Sequence, residues 1–186
     1  MNKKFTSTLI GSLFVVFAIN NCSQEPDFDE LVRQGTNSGI ENNELFLRYE
    51  LGMTRDDFFA VSWEMNKEEI ISGLVKIEYE FDELKSTALK SFYPEFNNDR
   101  ISKMPVDIHY TSWAPWNRDL SSDSLVVDLK EYYENNHKAH FKDVYVPSIE
   151  KNALVSVRGN QAILIYPISD MVARLEFMDL NSIAGS

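Results

Sequence analysis

Trp113-Ala114-Pro115-Trp116-Asn117-Arg118 sets two of the chain's three tryptophans beside an amide and a guanidinium, with Tyr110 just upstream. Aromatic rings and arginine anchor protein interfaces, and flat rings beside planar polar groups also suit a sugar. The same residues have a structural reading: folded inward, each ring would lock a strand-to-helix crossover and bury surface worth ~2–3 kcal/mol. The nearest approach to a metal constellation is Glu134-x-x-His137-x-x-His140, because three-residue steps on a helix bring side chains together. It matches no zinc spacing closely, and histidines near a helix C-terminus also suit the negative end of its dipole. Asp107 and His109 stand two apart and could form a polar pair, without a third partner to make a catalytic relay. No Gly-x-Ser-x-Gly elbow, His-Glu-x-x-His or glycine-rich phosphate loop is present. No cofactor is expected.

The elements that must hold these groups follow from periodicity. Leu45, Phe46 and Tyr49 predict a helix over 44–51, stopped by Gly52. A second helix starts at Thr54, where Thr54-Arg55-Asp56-Asp57 reads as a capping box with Asp in place of Glu. Its apolar stripe is expected along Phe59, Trp63, Asn66 or Lys67, and Ile70, and Gly73 ends it. Val75, Ile77, Tyr79 and Phe81 alternate with charged residues as in a half-buried strand. A second strand runs from Thr87 to Tyr93, ended by Pro94 and a turn at Asn97-Asn98-Asp99. The third, over 101–113, puts Met104, Val106, Ile108 and Tyr110 on one face and Lys103, Asp107 and His109 on the other. Pro105 suits an edge position or a bulge.

Beyond the tryptophans, Ser121 is the expected N-cap of a helix with Asp123 in its first turn. Leu120 and Leu125 are spaced as a hydrophobic staple, and Leu125, Val126, Leu129, Tyr132 and Tyr133 line its buried side. The remainder reads as strands over 144–146, 153–157, 162–166 and 171–178, with Gly159-Asn160 as a two-residue hairpin turn. The fold class is therefore α+β, with helices packed on an antiparallel sheet. The order of elements invites an αβββ unit used twice.

The chain has 186 residues, 44% of them hydrophobic, and a formal net charge of −11. An excess of acid argues against nucleic acid, whose phosphates reward clustered Lys and Arg. It argues equally against a basic patch on anionic lipid. Residues 1–21 read as a secretory signal: Lys3 and Lys4 precede an apolar run of ~15 residues, short of the ~20 needed to span a bilayer. The only cysteine, Cys22, follows at once and cannot form an internal disulfide. Its position resembles that of the lipidated cysteine of bacterial lipoproteins, although Asn20 and Asn21 depart from the small residues usual there. Cleavage would remove Lys3 and Lys4 and move the net charge from −11 to −13. Residues 22–43 are polar and acidic, with Glu25, Asp27, Asp29 and Glu30, and read as a tether. Such acids resemble the surface-export signals of Bacteroidota lipoproteins, and a plain solvated linker is the other reading. Residues 44–186 form a single domain.

The helix–Gly52-Met53-Thr54–helix join is similar to one in small outer-membrane assembly lipoproteins. Gly52-Met53-Thr54-Arg55-Asp56-Asp57-Phe58-Phe59, Ser62-Trp63-Glu64-Met65-Asn66-Lys67, Phe92-Tyr93-Pro94-Glu95-Phe96, Met104-Pro105-Val106, Trp113-Ala114-Pro115-Trp116-Asn117 and Ser122-Asp123-Ser124-Leu125 together resemble an uncharacterised family of Bacteroidota lipoproteins. The likeness covers most of Gly52 to Leu180. It implies a cell-envelope address, an outer-membrane anchor through lipid on Cys22 and one domain, and it supplies no catalytic residue. Two functions are then open. One is a binding or assembly module for an envelope protein, peptide or glycan, using Tyr110, Trp113, Trp116, Asn117 and Arg118. The other is an enzyme acting on envelope material, using Asp107, His109 or carboxylates near the tryptophans.

Overall fold

The computed structural model describes residues 27–73 and 76–183. The expected signal segment, Cys22 and Val75 lie outside those residues. Among the described residues no helix is long and apolar enough to cross a membrane.

Eight antiparallel strands form one sheet: β1 (Ile77–Phe81), β2 (Ala88–Phe92), β3 (Glu95–Asn97), β4 (Arg100–Tyr110), β5 (Lys142–Val146), β6 (Lys151–Arg158), β7 (Gln161–Pro167) and β8 (Ala173–Asp179). Their order is β1-β2-β4-β8-β7-β6-β5, with β3 pairing β4 beside β2. Two meanders therefore meet at their last strands, β4 against β8. The α+β class with helices on an antiparallel sheet is thus the observed one.

Alternation along β4 sets the core. Met104, Val106, Ile108 and Tyr110 are buried, and in register beside the first three stand Phe177, Leu175 and Ala173 of β8. Pro105 lies on a central strand rather than an edge. It is tolerated because β3 pairs only as far as Lys103 and β2 begins at Val106, so the missing N–H falls where β4 changes neighbours.

Two helices share this main core. α3 (Ser122–His137) buries Leu125, Leu129 and Tyr133, as its spacing predicts. α2 (Arg55–Lys67) is capped by Thr54, whose hydroxyl accepts the Asp57 N–H at 3.2 Å. Its buried stripe is Phe58 and Met65, with Val61 partly covered, one residue out of phase with the expected stripe. Phe59 is half exposed and Trp63 is 63% exposed. The ambiguity is physical: apolar residues stand on both flanks of this helix, and only Tyr49, Phe92 and Phe96 decide which flank meets a partner.

The predicted helix over 44–51 is a reversed turn instead. Glu44 bridges Glu50, and Leu47 takes φ +54°, which a helix does not permit. Leu45 and Tyr49 still point into the core, so the burial survives the change of backbone. The stretch read as a tether carries α1 (Phe28–Asn37), N-capped by Asp27. Phe28, Leu31 and Val32 recur at helical spacing and pack on the opposite face of the sheet, over Val144, Val155, Ala162 and Leu164. The short α4 (Leu180–Ile183) joins that second core through Leu180.

Candidate functional site

β4 delivers the tryptophan loop to the N-terminal end of α3. The chain turns at once: Trp113 N–H donates to the Tyr110 carbonyl at 3.1 Å, and Asn117 N–H to the Ala114 carbonyl at 2.9 Å. A 3₁₀ turn over Arg118–Leu120 then leads into Ser121. Facing it is the β7–β8 loop, closed by Ile168 N–H on the Val172 carbonyl at 2.9 Å. Ser122 N–H donates to the Asp170 carbonyl at 3.0 Å and ties the two loops together. Between them lies an open cleft of about 500 Å³, lined by Trp113, Asn117, Arg118, Asp123, Ser169 and Asp170 among others.

The two tryptophans divide the work. Trp113 is partly buried against the main core and lines the cleft. Trp116, between the lining residues Pro115 and Asn117, is 85% exposed. Tyr110 is placed apart from this surface. It is fully buried, and its hydroxyl donates to the Asp128 carboxylate, which also holds Lys85 at 3.0 Å. Burial and the neighbouring carboxylate push the Tyr110 hydroxyl well above its ordinary range, so it stays a neutral donor. Ser121 occupies the N-cap position without a side-chain capping bond.

Glu134, His137 and His140 do not converge. Glu134 binds Lys130 at 2.7 Å and accepts the Phe141 N–H, which holds its carboxyl below the usual range. His137 lies tilted over Tyr133, 4.9 Å between ring centres, and His140 is exposed beyond the helix end. Among the described residues no group of three His, Cys, Asp or Glu side chains is placed to hold a metal ion. Asp107 accepts from Arg174 Nε at 2.6 Å on the outer face of the sheet, where His109 shows no bond to it. That arrangement is an ion pair between neighbouring strands.

Two features escaped the reading by residue type. Lys90 is 1% exposed, between Tyr79 and Ile108 on the core face of β2. Its ammonium sits 3.4 Å from the centre of the Phe81 ring, with Tyr79 at 5.3 Å, Phe46 at 5.9 Å and Tyr132 at 6.0 Å. Burial lowers its pKa to about 7, against the pull of Glu83. The parity of Ala88, Lys90 and Phe92 could have revealed it, since two of the three belong inside. The second feature is a cavity at the far end of α3, bounded by Asn42, Tyr133, Ser156, Arg158 and Gln161. Its walls come from five separate segments, a juxtaposition that no local spacing encodes.

No family model, no curated protein and no solved structure matches this chain, so the reading of its function rests on the chemistry of these surfaces.

Proposed function

We propose that the chain is a lipoprotein of a bacterial cell envelope, anchored at the outer membrane through lipid on Cys22. In this reading its domain is a binding or assembly module whose recognition surface is the tryptophan loop, with an envelope protein, peptide or glycan as ligand. The observation that carries the reading is the contrast between Trp113, held against the core, and Trp116, 85% exposed three residues later. The loop is thus fixed at its base and presents a ring to solvent beside a cleft with amide, guanidinium and carboxylate groups. Rigid aromatic rings lose little conformational entropy on binding, which is why they serve as anchors at interfaces. In the same reading the two helix-and-meander units reflect an αβββ unit used twice, each half carrying a fourth strand.

The test is in-cell crosslinking and capture, comparing the wild-type chain with Trp116→Ala, alongside tryptophan-fluorescence titration with envelope oligosaccharides and peptides. Capture of one specific partner, or quenching by one ligand class, lost in a variant that melts normally, supports the reading. Unchanged binding in that variant sinks it.

A further inference from the structure

The second cavity, at the C-terminal end of α3, holds about 280 Å³ and is distinct from the tryptophan cleft, which lies at the helix's other end. Its floor is apolar and aromatic: Tyr133, Ile163 and Phe177 are buried parts of the main core. Its polar wall is fixed in place by hydrogen bonds. Asn42 donates through Nδ2 to Gln161 Oε1 at 2.9 Å, and Gln161 donates through Nε2 to the Glu44 carbonyl at 2.6 Å. The buried Ser156 accepts the His140 N–H at 3.0 Å.

Counting protons shows what this wall lacks. Each side-chain amide carries two N–H groups and each hydroxyl one O–H. Gln161 and Asn42 each spend one side-chain N–H in the bonds above, and the Ser156 O–H meets no acceptor among the described residues. The acceptor side of Gln161 is already used by Asn42. Asn42 Oδ1 is left unpaired among the described residues as well, so in Asn42, Ser156 and Gln161 together three spare protons stand against one spare amide oxygen.

Charge points the same way. His137, Lys138 and Arg158 line the cavity, and none of them has a carboxylate partner among the described residues. Glu44 is the one acidic residue in the lining, and like Lys138 and Arg158 it is exposed to solvent. The negative end of α3 is partly masked. Lys138 and Ala139 N–H both reach the Tyr133 carbonyl, and the Asn136 amide covers that of Tyr132. Two cations, Lys138 and Arg158, beside one cavity stand out in a chain of net charge −11.

We propose that this cavity binds a small organic carboxylate, its apolar body on the Tyr133–Phe177 floor and its oxygens toward Arg158, Lys138 and the Ser156–Gln161 donors. A planar carboxylate fits a guanidinium fork and amide donors better than a single point charge does. The volume limits the ligand to roughly one ring or a short chain, at the small end of ligand pockets.

The test uses the ¹⁵N-labelled full chain in non-ionic detergent, titrated with benzoate, benzyl alcohol, benzylammonium and inorganic phosphate. Benzoate should shift the amides of Ala139, Ser156 and Gln161, with little response to benzylammonium. In K138Q/R158Q its Kd should rise about tenfold or more, while the amide spectrum remains that of the folded wild type. An equal response to benzyl alcohol would mark an apolar hollow without charge selection and overturn the proposal. So would unchanged benzoate affinity in K138Q/R158Q, phosphate binding in preference to benzoate, or the absence of any localised shift.

Discussion

Where β1, β2 and β4 lie, the sheet is covered on one face; at β6 and β7 it is covered on both, and the edge strand β5 is covered by α1 alone. The first half packs aromatic rings beneath α2: Phe46, Tyr49, Phe58 and Phe92 meet edge to face or tilted. Its other face is polar, carrying Glu78, Glu80, Asp107 and His109. The second half is mostly aliphatic, with Tyr166 and Phe177 as its buried rings. In β7 every residue from Gln161 to Tyr166 is buried, Ile163 and Ile165 under α3, Ala162 and Leu164 under α1. A strand covered on one side alternates, and one covered on both becomes a continuous apolar run. The aromatic half also tolerates an intruder. Lys90 costs desolvation there, and the ring faces around it return part of that cost as cation–π attraction.

The difference can be broken most severely at β7. Leu164→Ala removes a fully buried side chain from the second core and should cost about 3–4 kcal/mol in urea unfolding. Glu80→Ala, on the exposed outer face of the singly covered half, should stay within about 1 kcal/mol. Equal losses would mean that the two halves are not packed differently.

Lys90→Met sharpens the contrast in the opposite direction. A depressed lysine pKa means that the unfolded chain binds a proton the folded chain refuses over roughly pH 7 to 10.5. The Lys90 contribution to stability is therefore most favourable above the unfolded pKa, and it is lost as pH falls through that window to about 7. Replacing the ammonium with a thioether of similar length should stabilise the protein by about 2–3 kcal/mol at pH 7. The difference between the two proteins should shrink as pH rises toward 10.5. Urea titrations of both at several pH values would show this, and a pH-independent difference would remove the charge from the explanation.

Leu31→Ala tests whether α1 is part of the domain. Its side chain is nearly buried over β5 to β7, and the loss should be about 2 kcal/mol. A value near zero would return residues 27–43 to the role of a tether. The smallest effect is expected at Trp116→Ala, within about 0.5 kcal/mol by the same unfolding measurement, because the ring is already in water. A loss of several kcal/mol there would make the loop a structural lock.

Much of this fold was legible because its elements obey strong local rules. The alternation of Met104 to Tyr110, the Gly159-Asn160 turn and the stripe from Leu125 to Tyr133 each admit one regular structure. Reading failed where two local answers were equally good. Phe58 and Phe59, or Trp63 and Met65, could each have supplied the buried flank of α2. Residues 44–51 had helical spacing, yet the turn at Leu47 buries the same Leu45 and Tyr49 and also pairs Glu44 with Glu50. An acidic, polar stretch reads as linker until a second face of sheet is available to receive Leu31.

The candidate surfaces divide in the same way. By itself the sequence determined which residue types are available: two tryptophans in a turn between strand and helix, an acidic chain, and histidines at a helix end. Those are local properties, set by neighbours along the chain. Tertiary structure alone decided that Trp113 is anchored while Trp116 is free, that Tyr110 is spent on Asp128, and that Lys90 lies among rings. It alone gathered His137, Lys138 and Arg158 around one cavity. Exposure and juxtaposition depend on which distant segments arrive to cover a face, and that is settled only when β4 pairs with β8 and α3 crosses the sheet.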